Sequence, residues 1–361
     1  MFIFNLRLKI DCMIKNVTKN SFAIHENIKS IEIYGHPLVN DTFTIAIPTY
    51  KRAKYLEETL VSALSQVDNL YPYNIIVVDN NPERGDETEL LMSKYNCESN
   101  ISYYKNSANL GMQGNWNRLF VLTKTKYVIM LHDDDLLNPL FMSTVQRCIS
   151  ETKLHITVVK PLEQRWHDNG ESVRYDRIIG DIRMKRVYDL ENYHGFPIGA
   201  PTGCLFDRDD IIKIGGFDLK LNIAAADFEL IVRLGREFPV YQINQSLVVY
   251  RILVNNASNL EVQYLGSDRC YKIVKKLLHS YYFPNWLIDG YWSYFLKSWT
   301  HFIHVNFCQD FDYDIAMKRI GMKPKSPIYG LLCYVVVRIY ERIFMLFHGR
   351  IVLLNGNCIT I

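Results

Sequence analysis

The chain has 361 residues, of which 48% are hydrophobic and 22% are charged, and its formal net charge is +3. This length can bury a large core and excludes a single small module, so we expect one large domain with an appendage or two modest domains. The composition is that of a soluble globular protein, and so small a net charge gives no support for nucleic-acid binding.

Short apolar runs alternate with helical periodicity from residue 43 to about residue 150. The sequence predicts strands over residues 43–48, 73–79, 101–106 and 126–131. It predicts helices over residues 53–67, 87–95, 113–123 and 138–150. Strands that alternate with helices favour parallel pairing, with helices on both faces of the sheet. We therefore expect an α/β fold with a Rossmann-like, mostly parallel sheet.

Polar residues stand at the carboxyl end of each of these four predicted strands. In chain order they are Pro48-Thr49-Tyr50, Asp79-Asn80-Asn81, Asn109 with Gly111, and His132-Asp133-Asp134-Asp135. In open α/β sheets, ligands bind outside the carboxyl ends of the strands. The agreement of four strand ends therefore predicts one ligand site at this edge.

The pattern weakens after residue 150. Strands are predicted over residues 155–159 and 240–251 and a helix over residues 225–238, while residues 261–361 are mainly helical and aromatic. Residues 1–40 permit no assignment of secondary structure. We expect an N-terminal extension at 1–40, a catalytic or binding domain at 41–260 and a helical C-terminal region at 261–361.

The cysteines and the N-terminus bear on the cellular compartment. Eight cysteines are scattered singly without a CxxC pair, which favours reduced thiols over a disulfide scaffold. Charged residues interrupt the stretch MFIFNLRLKIDCMI and no small-residue cleavage site follows it, so no signal peptide is expected. We therefore expect a cytoplasmic protein.

The stretch over residues 329–350 is rich in apolar residues but contains Arg338, Glu341 and Arg342. It is too charged to span a bilayer comfortably, because a spanning helix needs ~20 predominantly apolar residues. Two interpretations remain open. The helix packs on the protein's own core, or it is an amphipathic helix that lies peripherally on the anionic cytoplasmic leaflet of the inner membrane.

The stretch YVIMLHDDDLLNP, residues 127–139, runs from apolar residues straight into a histidine and three aspartates. Adjacent carboxylates repel one another unless a cation, or a ligand that carries one, lies among them. The stretch therefore predicts a metal site. If the segment is extended, His132 and Asp134 face one side and Asp133 and Asp135 the other. An acidic turn that caps the helix at 138–150 is the structural alternative.

The segment from Phe43 to about Ser258 resembles the family 2 inverting glycosyltransferases, which have the GT-A fold. Six motifs carry the resemblance, in the order of the family: TIAIPTYKRAKYLEETLVSALSQ, IIVVDNN, NSANLGMQGNWNRLF, YVIMLHDDDLLNP, PTGCLFDRDDIIKIGGFD and AADFELIVRLG. Each motif alone is weak, but the ordered set is specific.

The resemblance implies a nucleotide-sugar donor, with UDP as the expected nucleotide, and a divalent cation, Mn²⁺ or Mg²⁺. Such a cation offsets the charge of a departing diphosphate. Asp134 is the implied metal ligand, and Asp133 lies near the ribose or a metal-bound water. The other implied donor contacts are Pro48, Thr49, Tyr50, Arg52, Asp79 and Asn109. A plain turn at residues 79–82 and a solvated helix-start role for Arg52 remain open.

Inverting transfer needs a base that takes the proton of the acceptor hydroxyl. The resemblance places this base at Asp227, where Ala226 replaces the glutamate that usually precedes it in the family. Glu229 is the alternative base. An ordinary helix-start aspartate, stabilised by the helix dipole, is the structural alternative for Asp227.

Two other positions depart from the family pattern. His132 stands where an aspartate is commoner, and Leu253 and Val254 stand where related enzymes often carry a histidine that is available as a metal ligand. Either the cation is held mainly by Asp134, diphosphate and water, or His132 compensates. Arg251 is a candidate for contact with the diphosphate.

We therefore expect transfer of a hexose, with inversion, to a hydroxyl of a glycan or lipid-linked glycan in cell-surface polysaccharide biosynthesis. Residues 41–150 are expected to bind the nucleotide and residues 151–260 the acceptor. The altered residues also permit a degenerate, non-catalytic nucleotide-sugar-binding or scaffold protein. A sugar nucleotidyltransferase is the weaker alternative, because PTYKRAKYLEE lacks the glycines of its phosphate loop.

Overall fold

The structure is a computed structural model. It describes residues 20–36, 39, 41–152, 154–168, 171–193, 199–221, 224–253, 259–348 and 351–354. The predictions made for the N-terminal stretch 1–14, for Cys12 and Cys358 and for Val254 lie outside the described residues. The six cysteines within them are all free thiols.

Among the described residues, eleven strands form one sheet. They are β1 (Ser30–Tyr34), β2 (Phe43–Thr49), β3 (Asn74–Asp79), β4 (Ile101–Asn106), β5 (Tyr127–Met130), β6 (Leu136–Leu137), β7 (Val158–His167), β8 (Ile182–Val187), β9 (Cys204–Asp207), β10 (Val240–Ile252) and β11 (Ile351–Leu354). Their order is β1-β4-β3-β2-β5-β9-β7-β10-β8-β11, and β6 pairs with β10.

Ten α-helices accompany the sheet in the described part of the chain. They are α1 (Ala53–Leu64), α2 (Glu87–Ser93), α3 (Gly111–Leu122), α4 (Phe141–Glu151), α5 (Arg208–Ile214), α6 (Ala226–Glu237), α7 (Leu260–Ser280), α8 (Asn285–Asn306), α9 (Tyr313–Arg319) and α10 (Pro327–His348). Short 3-10 helices lie at Ser21–His25, Asp189–Tyr193 and Leu219–Leu221.

The four strands predicted from the alternating pattern form the parallel centre of the sheet. β3 pairs in parallel with both β2 and β4, and β2 pairs in parallel with β5. β7 and β10 form a further parallel pair, while β1, β8, β9 and β11 pair antiparallel. The α/β fold class is confirmed, with a mixed sheet whose antiparallel strands lie outside this centre.

Helices cover both faces of the sheet because the parallel strands bury side chains on both sides. Along β2, Phe43, Ile45 and Ile47 enter one core, which also contains residues of α1, α2 and α4. Ala46 enters the opposite core, which also contains residues of α3, α5 and α6. The two-residue repeat of a strand requires this division.

β7 differs most from the sequence expectation. The strand was predicted over residues 155–159 but runs from Val158 to His167, and the additional residues are largely polar. They form a strand because Glu163 to His167 pair in parallel with β10. α4 likewise begins at Phe141 rather than near residue 138, because the Asn138 amide extends the pairing of β6 by donating to Leu247 O of β10 at 2.9 Å. Long-range pairing decides both boundaries.

The C-terminal region is mainly helical, as predicted, and has a third core between α6 and α7 to α10. α8 and α10 approach closely at Gly290 and Gly330, where a Cβ on Gly290 would lie 2.4 Å from Cys333 Sγ. Gly290 therefore has no room for a larger residue, and Gly330, whose Cβ would lie 3.1 Å from Tyr294 Cβ, has little. No helix within the described ranges is long and apolar enough to cross a membrane.

Candidate active site

A cleft of about 840 Å³ lies at the carboxyl ends of the parallel strands and is bounded on its far side by α7 and α8. Eight of the nine residues that the sequence singled out as site residues line this cleft. They are Pro48, Thr49, Tyr50, Arg52, Asn109, Asp133, Asp134 and Asp227. The ninth, Asp79, is not among the lining residues.

The turn after β2 brings a threonine and an arginine to the acidic residues that follow β5. Thr49 Oγ1 donates a hydrogen bond to Asp133 Oδ2 at 2.8 Å. Arg52 Nη1 lies 2.5 Å from Asp134 Oδ2 and 3.4 Å from Asp133 Oδ1. Lys51, between them, has φ 54°, a left-handed conformation that costs a non-glycine residue ~1 kcal/mol or more. Arg52 is therefore ion-paired in the cleft rather than solvated at a helix start.

Asp79 lies beneath the cleft rather than in its wall. Its side chain is fully buried and accepts hydrogen bonds from Lys105 Nζ at 2.7 Å and Tyr103 Oη at 2.9 Å. Burial raises the pKa of Asp79, and the hydrogen bond and charge of Lys105 oppose that rise. The contact of Asp79 with the nucleoside stays a prediction, since in this conformation its carboxylate serves the core.

Asn80, the next residue, lines the cleft instead. Its Nδ2 donates to Asn109 Oδ1 at 2.8 Å, and its Oδ1 accepts from the Leu110 amide at 2.9 Å. These bonds join the ends of β3 and β4 into one rigid rim. The sequence placed Asn80 in a turn but did not single it out, because nothing in one sequence shows which residue of the Asp-Asn-Asn run points outward.

The acidic segment is a turn, not an extended continuation of β5. The strand ends at Met130, and the Asp135 amide donates to His132 O at 3.2 Å. Ligand atoms of His132, Asp134 and Asp135 consequently lie within 4.8 Å of one another. The expected alternation, with Asp135 beside Asp133, is therefore wrong. The helix-capping alternative also fails for α4, whose N-cap is Leu140 and which has no side-chain cap.

The three clustered residues fit a divalent cation chemically. Two buried atoms of this group, His132 Nε2 and Asp135 Oδ2, have no hydrogen-bond partner. Burial lowers the pKa of His132 to about 4, so that its imidazole is neutral and able to bind a metal at neutral pH. Trp116 stacks on this imidazole with ring centroids 5.2 Å apart, which fixes its orientation.

The carboxylates in this turn destabilise one another's charge. Burial, followed by the charge of Asp134, raises the pKa of Asp133 to about 7. The same two causes raise the pKa of Asp135 well above its usual range. A cation among the carboxylates would lower the pKa values of both Asp133 and Asp135, because a nearby divalent charge stabilises the ionised carboxylates.

Asp135 also orients the loop, since its Oδ1 accepts from the Arg251 amide at 2.8 Å. The Arg251 side chain is fully buried and pairs with Glu58 and Asp168. Its guanidinium stacks between the rings of Tyr55 and Trp166. Contact of Arg251 with a diphosphate stays a prediction, and its present partners indicate a structural role.

Asp227 stands in the first turn of α6, on the wall of the cleft. Ala225, the residue before the helix, has φ 61°, so a strained left-handed residue leads the chain into α6. Burial raises the pKa of Asp227 while the Phe228 amide, which donates to its Oδ1 at 2.8 Å, lowers it. Glu229 is held by Arg233 through two hydrogen bonds, at 2.9 and 2.7 Å. Asp227 is therefore the less constrained of the two candidate bases.

Comparison with known proteins gives a consistent result. Residues 44–215 match the profile described as "Glycosyl transferase family 2". The chain is 26% identical over 240 residues to "Glycosyltransferase GlyA" of Streptococcus pneumoniae serotype 4, in a match that covers 62% of this chain. The match spans about a third of that relative's length, 32%.

The fold is shared with a solved structure. TarS residues 1–349 of S. aureus superposes with a TM-score of 0.51 at 18% identity, over 73% of each chain. The mannosyltransferase PcManGT of Pyrobaculum calidifontis, solved with GDP-Man and Mn²⁺, has a TM-score of 0.48 at 13% identity and covers 95% of this chain and 89% of its own.

The parallel α/β sheet, with its acidic turn and cleft at the carboxyl edge, defines a GT-A glycosyltransferase fold. Within that class, residues 44–215 are similar to the family 2 glycosyltransferases, whose profile they match.

Proposed function

We propose that this chain transfers a hexose from a UDP-sugar, with inversion, to a hydroxyl of a glycan acceptor in cell-surface polysaccharide synthesis. One observation supports it most. The acidic turn with Asp134 and the candidate base Asp227 line the same cleft. A donor bound between them would expose its anomeric carbon to an acceptor beside Asp227, as inversion requires.

The nucleotide half of the cleft has partners for each part of a nucleoside diphosphate. The side chain of Tyr50 is 43% exposed and offers a ring for the base. Asn80 and Asn109 offer amide groups on a rigid rim, and Arg52 offers a positive charge for phosphate. Each of these roles can be tested by titrating UDP into variants of Tyr50, Asn80, Asn109 and Arg52.

Asp134, Asp135 and His132 would hold the Mn²⁺ or Mg²⁺ ion. When bound, such an ion supplies a positive charge that stabilises the leaving diphosphate. The chain's own residues do the rest. Trp116 and Arg251 hold His132 and Asp135 in place, and Asp227 removes the proton of the acceptor hydroxyl.

The test is release of UDP from a panel of UDP-sugars in the presence of Mn²⁺ or Mg²⁺, paired with thermal shift. A ligand that binds only the native state raises its melting temperature. We expect UDP with Mn²⁺ to raise it, and Asp134→Asn to abolish the metal-dependent part. Asp209→Asn, an exposed aspartate outside the cleft, is the control. If the wild-type protein binds UDP but produces no free UDP from any UDP-sugar, the degenerate, non-catalytic alternative is correct.

The C-terminal helix supports a further part of the proposal, contact with a membrane surface. Along α10 nine large apolar side chains are exposed on one continuous face: Ile328, Leu331, Leu332, Val335, Val336, Ile339, Ile343, Leu346 and Phe347. A contiguous apolar patch of this kind marks an interaction site. The helix thus packs on its own core with one face and presents a second apolar face outward, which supports contact of that second face with a membrane.

The charges beside this face match an anionic lipid surface. Glu341, the one acidic residue within α10, is buried and paired with Arg338 at 2.5 Å. Arg342 is exposed beside the apolar face, and Lys323 and Lys325 are exposed just before the helix. Basic residues beside an apolar helical face favour the headgroup region of an anionic leaflet.

Vesicle co-sedimentation tests this contact. We expect binding to vesicles of phosphatidylcholine with phosphatidylglycerol, weaker binding to phosphatidylcholine alone, and loss of binding in Ile339→Glu. Leu90→Glu changes an exposed leucine on α2 and serves as the control. Dimers that Ile339→Glu dissociates, without vesicle binding, would instead assign the face to a second copy of the chain.

A further inference from the structure

The far end of the cleft is built from helices that follow the matched family segment. α7 contributes Val262, Gln263, Gly266 and Cys270, and α8 contributes Phe295, Ser298, Trp299 and Phe302. Phe295, Trp299 and Phe302 are spaced by four and three residues, so they form one stripe along α8. We call these three residues with Phe307 the aromatic wall.

The aromatic wall is held rigidly but is not sealed into the core. The Trp299 ring packs against buried Trp292 at 6.2 Å and against Phe295 at 5.8 Å between centroids. Phe307 packs edge-on against Phe302 at 5.8 Å. All four residues of the wall are partly exposed and line the cleft. A fixed, partly exposed row of rings in a concave site is suited to ligand binding.

Polar side chains from β7 face the same space. Glu163 and Arg165 are two residues apart on one strand, so both project to the cleft side of the sheet. Arg165 lies over the Phe302 ring at 4.3 Å and donates to Asn306 Oδ1 at 3.2 Å. Arg165 is therefore fixed against the aromatic wall while its remaining donors face the cleft.

We propose that the aromatic wall with Arg165 binds a pyranose ring of the acceptor glycan. A pyranose has an apolar C–H face that stacks on an aromatic ring and a rim of hydroxyls that needs charged and amide partners. A polyprenyl chain would match the rings but would offer no polar groups to Glu163 and Arg165, which line the same cleft. This inference rests on the proposed function and names the acceptor side of the same cleft.

The position of Asp227 relates the two ends of the cleft. Its neighbour Phe228 belongs to the core formed with α7 and α8. Asp227 itself lines the same cleft as the acidic turn and the aromatic wall. A sugar ring stacked on the wall would therefore present a hydroxyl toward the candidate base.

Two variants with different risks test the aromatic wall. Trp299→Leu removes the largest ring, and Gly266→Met adds a side chain at a position on α7 where a Cβ meets nothing within 4 Å. The second variant fills the cleft without removing any packing, so it is informative even if the first unfolds. Trp286→Leu, on an exposed tryptophan of α8 that does not line the cleft, is the matched control.

The measurement is calorimetric titration of methyl glycosides of glucose, galactose and N-acetylglucosamine, in the presence of UDP and Mn²⁺. We expect wild type to bind at least one of them, Trp299→Leu and Gly266→Met to bind it roughly tenfold more weakly, and Trp286→Leu to bind it equally. The dissociation constant for UDP with Mn²⁺ should be the same in all four proteins.

The outcomes separate this inference from the proposed function. If wild type binds UDP with Mn²⁺ but binds none of the methyl glycosides, the assignment of the aromatic wall is overturned. Equal glycoside binding by wild type and a folded Gly266→Met variant overturns it as well. If wild type fails to bind UDP with either metal, the proposed function fails first.

Discussion

Arg52 Nη1 lies 2.5 Å from Asp134 Oδ2, so the carboxylate implied as the metal ligand is paired with a positive charge of the chain itself. Arginine stays protonated at every accessible pH and carries donors in a planar fork that also suits phosphate. We therefore expect Arg52 to compete with a metal ion for Asp134 when no nucleotide is present. A bound diphosphate offers the same guanidinium another partner.

Replacing Arg52 should thus have opposite effects on two ligands. We expect Arg52→Ala to bind Mn²⁺ alone more tightly, because Asp134 loses a competing partner, and to bind UDP roughly tenfold more weakly. Calorimetric titrations of each ligand measure both constants. Arg84→Ala breaks a comparable arginine–carboxylate pair, with Glu89, outside the cleft and should change neither. Weaker Mn²⁺ binding in Arg52→Ala would contradict the competition.

Asp227→Asn should separate binding from transfer. The amide keeps the size of the side chain but cannot accept the acceptor's proton, so we expect a loss of about 10²–10⁴-fold in transfer with UDP affinity unchanged. Glu229→Gln is the control, because Glu229 is occupied by Arg233. Product analysis on a donor and acceptor pair found by screening measures the loss. An Asp227→Asn variant that still transfers sugar at the wild-type rate would remove Asp227 from the role of base.

The pH dependence of transfer should report the pKa of Asp227. Burial raises this pKa, and the negative charge of Glu163 adds to the rise. A base acts only when deprotonated, so the rate should fall as the pH falls through the raised pKa. Glu163→Gln removes the added charge, and we expect the acid limb of kcat/KM to move to lower pH. If the acid limb of kcat/KM does not move in a Glu163→Gln variant that binds UDP normally, the pKa of Asp227 does not determine that limb.

Asp79 should act on stability more than on binding. Asp79→Asn removes the negative charge that pairs with the buried Lys105. We therefore expect a loss of about 3 kcal/mol in the free energy of unfolding, measured by urea denaturation. Asn80→Ala, one residue along, should weaken UDP binding because Asn80 joins the cleft rim. If Asp79→Asn weakens UDP binding at full stability, the predicted nucleoside contact gains support over the structural role.

The periodic part of the chain was predictable for a local reason. β2 to β5 and the helices between them carry their own signals, since buried parallel strands are continuously apolar and the helices have a 3.6-residue repeat. The polar residues at the strand ends followed from the same pattern. Eight of the nine candidate residues consequently line one cleft.

What the sequence did not decide depends on partners far along the chain. The polar end of β7 is a strand only because β10 lies beside it, and this pairing brings Glu163 and Arg165 to the cleft. The turn after Met130, rather than an extended strand, places Asp135 beside His132.

The sequence by itself thus determined the α/β class, the convergence of polar residues at the carboxyl edge and the residues of the acidic turn, because strand and helix periods are local properties. Only the tertiary structure decided that Asp79 is buried while Asn80 faces the cleft, and that rings of α8 close its far end. The direction of a single residue at a strand end depends on packing that no local pattern records. The approach of α8, some 170 residues later in the chain than β5, depends on such packing as well.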